Sequence, residues 1–125
     1  MITARRTFGS FAVDDIDAAQ RFYADTLGMK VSAITEAGPL WLHGPDDHDT
    51  LVYPKADHVP ASFTVFNIFV DDLGKAVDEL AALGVSFERY DGLETDERGI
   101  YHGEGHSVAW FTDPAGNVVS VGQEG

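Results

Sequence analysis

The segment Val13-Asp14-Asp15-Ile16 recurs as Val70-Asp71-Asp72-Leu73, and this repeat decides the fold of the 125-residue chain. Each copy follows a strand-like run and precedes a helix-like run that ends in Leu-Gly, at Leu27-Gly28 and at Leu83-Gly84. A supersecondary unit that recurs at a fixed period predicts two modules of one architecture. Because a unit of about 55 residues buries little surface alone, we expect the copies to share one core and to leave a concavity for a small molecule.

The charge and composition of the chain limit its partners. Acidic residues outnumber basic ones 21 to 8, which gives a formal net charge of −13. Such a surface repels phosphate backbones and anionic lipid headgroups, so we expect neither a nucleic-acid nor a membrane partner. The absence of cysteine excludes a disulfide framework, a thiolate nucleophile and a cysteine-ligated metal. Neither a signal peptide nor a run of about 20 apolar residues is present, so we expect a cytoplasmic protein.

The hydrophobic pattern predicts a strand and a helix followed by further strands in each module. In the first module, the helix begins at the N-cap Asp15 and ends at Gly28. The strands of that module are predicted at 8–13, 29–35, 40–43 and 50–53. The second module has a predicted helix at 73–83 and strands at 63–70, 85–90, 107–112 and 118–122, with one more within 90–106. We predict a single domain over 1–125, with module one at 1–56, a linker at 57–62 and module two at 63–125.

Four motifs together give the chain a family resemblance. They are Val13-Asp14-Asp15-Ile16, Arg21-Phe22-Tyr23, Leu27-Gly28 and the turn Asp113-Pro114-Ala115-Gly116-Asn117. The chain resembles, over essentially its whole length, the vicinal oxygen chelate superfamily of glyoxalase I, bleomycin-resistance proteins, fosfomycin-resistance enzymes and extradiol dioxygenases. The resemblance implies an α+β fold class in which two βαβββ modules pair about a pseudo-twofold axis. It also implies a curved, mixed, eight-stranded sheet around a cavity, and a homodimer.

The metal-binding positions of that family carry no metal ligands in this chain. The resemblance places the strand ligands at Phe8 and Val65, the last ligand at Ser120, and a further ligand near Val52 with Leu51 as the other register. Divalent Zn, Ni, Fe or Mn needs imidazole nitrogens or carboxylate oxygens, which these side chains do not offer. We therefore expect no metal and no cofactor, and a cavity floor that is apolar.

The predicted ligand contacts follow from these positions and from strand alternation. Alternation places Asn67 on the same face as Val65, where its amide could orient a ligand. The tryptophans lie in short strands and could stack on a planar ligand or pack in the core, and Asn67 could instead satisfy a backbone group or a dimer contact. We predict a metal-free small-molecule-binding protein that serves sequestration or sensing. Its predicted ligand-binding residues are Phe8, Trp41, Val65, Asn67, Trp110 and Ser120.

Enzymatic alternatives remain open at this point, and no catalytic residue is identified. A metal-dependent lyase, isomerase or dioxygenase of the glyoxalase type could use displaced ligands at His102, Glu104 and His106, which would share one face of an extended strand. The glycines between them favour a loop instead. A cofactor-free enzyme could use His43, His102 or His106 as a base, but the sequence selects none of them and shows no suggestive Ser-His-Asp spacing. The long 91–105 stretch is either a lid or a disordered acidic excursion.

Overall fold

A computed structural model describes all residues from 1 to 125. The chain forms two compact units, Met1–Val59 and Pro60–Gly125. Each unit has its own mixed β-sheet and one α-helix, so the predicted α+β class with two sheet modules is confirmed. No helix is long and apolar enough to cross a membrane.

The first unit contains a four-stranded sheet in the order β1-β4-β3-β2. Its elements are β1 (Gly9–Val13), α1 (Ile16–Arg21), β2 (Lys30–Ala33), β3 (Leu40–His43) and β4 (Asp49–Pro54). Strands β1 and β4 are parallel, and the other neighbours are antiparallel. The Asp15 carboxylate accepts the Ala18 N–H at 3.1 Å, which confirms the predicted N-cap. Helix α1 continues into a π-helical turn, Phe22–Thr26, and Gly28 ends it with a φ of +72°.

The second unit repeats this order with one strand more. Its elements are β5 (Thr64–Phe69), α2 (Leu73–Ala82), β6 (Phe87–Glu88), β7 (Tyr101–Gly103), β8 (His106–Thr112) and β9 (Val118–Glu124). The sheet order is β5-β9-β8-β6, and β7 also pairs with β8. The Asp72 carboxylate caps α2 by accepting the Lys75 N–H at 3.1 Å, and Gly84 follows the helix with a φ of +91°. Both copies of the repeat therefore build the same strand–cap–helix–stop unit.

The number of strands differs from the eight that the family resemblance implied. The structure has nine, four in the first unit and five in the second. In the second unit β6 pairs with one end of β8 (Phe87 opposite Phe111) and β7 with the other end (Tyr101 opposite Val108). Between β6 and β7 the chain does not pair with β8, so two short strands lie along the same edge of β8 in place of one long strand.

In each unit the helix covers one face of the sheet. Alternate strand residues on that face are buried: in the first unit they are Phe11, Val13, Leu40, Leu42 and Val52. The ring of Tyr23, fully buried after α1, lies 5.8 Å from that of Phe11. The second unit buries Ala109, Phe111, Val119 and Val121 in the same way, with Leu73, Val77 and Leu80 from α2. Burial of each large apolar side chain contributes about 1.5–3 kcal/mol. The helix leaves the opposite face of each sheet uncovered, and we call this face the outer face.

Candidate functional site

The outer face of the first sheet carries an aromatic pair and a cation. The pairing register places one row of side chains across all four strands: Ser32, Trp41, Leu51 and Ser10. Phe8, immediately before β1, packs edge-on against Trp41 with the ring centroids 4.9 Å apart. The guanidinium carbon of Arg6 lies 5.5 Å from the Phe8 ring centroid and 5.0 Å from that of Trp41. The structure thus brings together two of the predicted ligand-binding residues, Phe8 and Trp41.

A chain of hydrogen bonds crosses the same outer face. The Asp49 Oδ1 atom lies 3.1 Å from His43 Nδ1, and Asp49 Oδ2 accepts from the Arg6 guanidinium at 3.1 Å. A carboxylate oxygen accepts, so this contact matches the tautomer in which Nδ1 of His43 carries a proton and Nε2 is an acceptor. The Ser32 hydroxyl lies 2.5 Å from Nε2 and is its donor in that tautomer. The side chains of His43 and Asp49 are only 29% and 18% exposed. The sequence spacing did not reveal this arrangement.

The outer face of the second sheet carries three of the predicted residues in one row. Asn67 on β5 is opposite Ser120 on β9, and Ser120 is opposite Trp110 on β8. The Ser120 hydroxyl donates to Asn67 Oδ1 at 2.7 Å. Ser120 is buried and Asn67 is exposed, so the Ser120 hydroxyl holds the Asn67 amide from its buried side. The Nδ2 group of Asn67 is left as a donor toward solvent.

Two tyrosines extend this row into an aromatic cluster. The Trp110 ring centroid lies 5.7 Å from that of Tyr90 and 6.2 Å from that of Tyr101. Burial raises the pKa of the Tyr90 hydroxyl, and the nearby Glu88 carboxylate raises it further. Tyr90 was not among the predicted ligand-binding residues; it ended the strand predicted at 85–90, whereas the observed strand β6 ends at Glu88. Together the three rings form an apolar cluster in which Tyr90 meets Trp110 edge-on and Tyr101 is tilted against it by 45°.

Val65 requires a correction to the alternation argument. Thr64 is opposite Val118 and Phe66 is opposite Val119, so Val65 is the extra residue of a β-bulge. A bulge interrupts the two-residue period. Alternation alone therefore does not assign Val65 to a face, and its place beside Asn67 stays a prediction; Val65 is partly exposed.

The register of β4 settles which side chain occupies the family's fourth-strand position. Val52 is fully buried and lies opposite Phe11, on the helix-covered face. Leu51 lies opposite Trp41, on the outer face, so the ligand position near Val52 moves to Leu51. The four positions thus hold Phe8, Leu51, Val65 and Ser120. Three lack any lone pair and the fourth is a neutral hydroxyl, so these residues do not fit the family's metal ion.

The displaced ligand set does not form the arrangement that the sequence allowed. Residues 104 and 105 are a tight turn between β7 and β8, in which Gly105 has a φ of +78°. His102, Glu104 and His106 therefore do not share one face of an extended strand. The His106 Nδ1 atom lies 3.1 Å from the Glu104 carbonyl oxygen, and His102 lies opposite Ser107. No group of three or more histidine, aspartate or glutamate side chains in the chain is placed to hold a metal ion.

Two arginines connect the 91–105 stretch to the rest of its unit. Arg89 donates to the Thr95 hydroxyl at 2.8 Å and to the carbonyl oxygens of Asp96 and Glu97 at 2.7 and 2.9 Å. Arg98 reaches α2, where it donates to the Asp78 carboxylate at 2.7 Å. A cleft of about 390 Å³ lies along the stretch, lined by Glu94, Thr95, Asp96, Tyr101 and His102. A role as a lid stays a prediction.

Comparisons with known proteins agree with this architecture. The model of the glyoxalase/bleomycin resistance protein/dioxygenase superfamily matches residues 7–121. A lactoylglutathione lyase from Agrobacterium tumefaciens is similar in structure, with 20% identity, coverage of 97% of this chain and 95% of that one, and a TM-score of 0.66. A glyoxalase/dioxygenase from Nostoc punctiforme has 15% identity, coverage of 100% of this chain and 97% of that one, and a TM-score of 0.72. The fosfomycin resistance protein FosX from Listeria monocytogenes has 9% identity, coverage of 100% of this chain and 96% of that one, and a TM-score of 0.70. At such identities the likeness shows the fold alone, and no curated protein sequence matches significantly.

Proposed function

The chain belongs to the glyoxalase/bleomycin resistance protein/dioxygenase superfamily, and within it we propose a metal-free protein that binds a small, partly apolar molecule. The observation that carries this proposal is the row formed by Asn67, Ser120 and Trp110. Ser120 stands at a metal-ligand position of the family, and here its hydroxyl is committed to the Asn67 amide at 2.7 Å. In this proposal Ser120 orients the Asn67 amide, which can donate a hydrogen bond to an organic ligand, and does not coordinate a cation.

The chemistry of the outer faces indicates the class of ligand. Trp110, Tyr90 and Tyr101 offer ring surface, and an aromatic contact contributes about 0.5–1.5 kcal/mol beyond its area. The Asn67 Nδ2 group can donate to a carbonyl, ether or ring nitrogen, at about 0.5–1.5 kcal/mol. A planar molecule with one such acceptor fits best. The proposed contacts are those predicted from the sequence: Phe8, Trp41, Val65 and Trp110 for apolar and stacking surface, and Asn67 and Ser120 for hydrogen bonds.

Each unit has one tryptophan, and this makes the proposal easy to test. A panel of planar small molecules is titrated against the protein, with quenching of tryptophan fluorescence as the signal. We compare Trp41→Phe, which reports only Trp110, with Trp110→Phe, which reports only Trp41. A ligand that binds to the second unit should quench the fluorescence of Trp41→Phe and should bind more weakly to Trp110→Phe. Asn67→Ala should weaken binding about tenfold, Val65→Phe should abolish it, and Glu79→Gln on the exposed surface of α2 should leave it unchanged.

The outcomes separate this proposal from a metalloenzyme. Binding that survives dialysis against a chelator and responds to the Asn67 and Val65 variants supports the proposal. If no compound quenches either tryptophan, the outer faces are not binding surfaces. Stoichiometric Zn, Ni, Fe or Mn that resists dialysis and is lost in His106→Ala would instead indicate a lyase, isomerase or dioxygenase with displaced ligands.

We further propose that the chain acts as a cytoplasmic homodimer that sequesters or senses its ligand. The support for the dimer is the family resemblance, since no interface is visible in the sequence. Light scattering coupled to size-exclusion chromatography measures the mass directly. A mass near twice the 13.5 kDa of one chain supports the dimer, and a mass near 13.5 kDa contradicts it.

A further inference from the structure

We propose that Ser32, His43 and Asp49 form a nucleophile–base site that hydrolyses small aryl esters, an activity beyond the proposed ligand binding. Local sequence patterns did not predict this site, because the three residues lie on β2, at the end of β3 and at the start of β4. The register of the sheet brings them together on the outer face. The proposal rests on the contacts that join these three side chains.

Each residue has one role that its contacts define. Asp49 accepts from Nδ1 of His43 at 3.1 Å and so fixes the tautomer in which Nε2 is unprotonated. This Nε2 lies 2.5 Å from the Ser32 Oγ atom, whose proton it can take. Arg6 pairs with the other oxygen of Asp49 at 3.1 Å, which holds the carboxylate in position. Asp49 is a positioning residue here, since it acts through His43.

The surroundings of Ser32 indicate the substrate class. Ser32 is directly opposite Trp41, and the Phe8 ring packs against that indole, so an aromatic group can stack beside the hydroxyl. The Ile34 N–H donates to the Pro39 carbonyl oxygen, which fixes the alternation of the β2–β3 ladder and directs the Ala33 N–H away from β3. Since β2 is the edge strand of this sheet, no strand of the sheet uses that N–H, and it can stabilise a developing oxyanion. One such donor suits esters with a good leaving group.

The reaction proceeds in two balanced steps. Ser32 Oγ attacks the ester carbonyl carbon while its proton moves to His43 Nε2. The ester C–O bond then breaks, the phenolate leaves with the proton from His43, and Ser32 is left as an acyl ester. A water molecule next attacks that acyl carbon and gives its proton to Nε2. The acyl–Oγ bond breaks, the carboxylic acid leaves, and Ser32 regains its proton.

A second chain of the same three residue types provides an internal control. His102 Nε2 donates to Asp96 Oδ2 at 2.8 Å, and His102 Nδ1 lies 3.4 Å from the Ser107 hydroxyl. The serine contact is therefore 0.9 Å longer than that of Ser32. The side chains of His102 and Asp96 are also 63% and 33% exposed. Ser107 alternates with the buried Ala109 and Phe111, which places it on the helix-covered face, opposite to the face that carries Trp110.

The test uses p-nitrophenyl acetate as substrate and a fluorophosphonate probe to trap the nucleophile. We expect turnover of the ester and an adduct on Ser32, located by mass spectrometry of the digested protein. Ser32→Ala and His43→Gln should each lower the rate by about a hundredfold. Asp49→Asn should lower kcat while KM stays unchanged. Ser107→Ala and His102→Gln are the matched controls and should keep the wild-type rate.

The outcomes are distinct from those of the binding proposal. Circular dichroism verifies that each variant is folded, and the exposed Ser32→Ala change on an edge strand keeps the test available if His43→Gln does not fold. No adduct on Ser32, or a Ser32→Ala rate equal to the wild-type rate, overturns the inference. An equal loss in Ser107→Ala overturns it as well, because the reactive group would then lie elsewhere. Ligand quenching that persists in Ser32→Ala leaves the proposed binding function intact in every case.

Discussion

The two units share one strand–helix plan but place their histidine–carboxylate pairs on opposite faces of their sheets. His43 lies two residues after Trp41 on β3, so it shares the outer face with the aromatic pair. His102 is opposite Ser107, which alternates with the buried Ala109 and Phe111 on the helix-covered face. A shift of one residue along a strand moves a side chain to the other face. The repeat therefore fixes the scaffold, while single positions along each strand decide what that scaffold presents.

The turns before the last strand of each unit show a second difference between the two units. Both link the last two strands through five residues with proline second, at 44–48 and 113–117. In the second unit the buried Asp113 carboxylate accepts from Ala115 N at 3.0 Å and Asn117 N at 2.8 Å. The first unit has Gly44 at the position of Asp113, where a Cβ would lie 2.4 Å from the His48 carbonyl oxygen. One turn is thus anchored by a carboxylate, and the other cannot hold a side chain there.

The largest effect is expected when the anchored turn loses its carboxylate. Asp113→Ala removes the acceptor of two backbone N–H groups and of the Asn117 Nδ2 group at 3.1 Å, all inside the protein. Donors left buried without a partner cost about 1–3 kcal/mol each, partly offset by relaxation. We expect the free energy of unfolding to fall by about 2–4 kcal/mol in urea titrations. Asp91→Ala, at an exposed loop position, is the control and should change it by less than about 0.5 kcal/mol. An equal effect of the two changes would contradict the anchoring role.

An intermediate effect is expected from pH in the loop of the second unit. The hydrogen bond from His102, with those from the N–H groups of Ile100 and Arg98, lowers the pKa of Asp96 below its usual 3.8. A carboxyl group whose pKa is lowered by folding stabilises the fold above its unfolded pKa, and this contribution is lost as pH falls through the folded pKa. Hydrogen exchange of the Arg98 and Ile100 amides should therefore accelerate, beyond its intrinsic pH trend, only below about pH 3.8. In Asp96→Asn this transition should disappear, and its persistence would assign the effect to another group.

The smallest effect is expected in the unanchored turn. Asp46 and Asp47 both have positive φ angles, 57° and 59°, which L-residues adopt with strain. Asp47→Gly relieves that strain and adds backbone entropy to the unfolded chain, so we expect a net stabilisation of about 0.5–1 kcal/mol. Asp17→Gly, in the first turn of α1, should have the opposite sign at about the same size. Thermal unfolding of both variants measures the difference, and destabilisation by Asp47→Gly would show that the aspartate contributes contacts that outweigh the strain.

Local signals were sufficient to predict most of the scaffold. Strand β3 has the bounds predicted at 40–43, and α2 begins at the predicted Leu73. Caps, stops and alternation act within about ten residues, so each appears in the sequence itself. The family resemblance singled out Ser120, alternation singled out Asn67, and the structure joins them by a hydrogen bond across 53 residues of sequence. Their role in ligand binding stays a prediction.

Features that depend on register could not be predicted. The bulge at Val65 adds a residue that no local pattern marks, and it breaks the alternation argument for that side chain. Ser32, His43 and Asp49 meet only because β2, β3 and β4 pair in one particular register. His43 ended the strand predicted at 40–43, but Asp49 fell in the loop predicted before 50–53, so the two were not recognised as cross-strand partners.

The most direct test measures metal content and ligand affinity on the same sample after dialysis against a chelator. The protein is titrated with the best compound from the fluorescence panel before and after this treatment, and its Zn, Ni, Fe and Mn are quantified in both states. We predict a metal content far below one equivalent and an unchanged Kd, because Phe8, Leu51, Val65 and Ser120 provide no suitable ligands. One retained equivalent of metal, with binding that disappears on its removal and returns on its addition, would contradict the account.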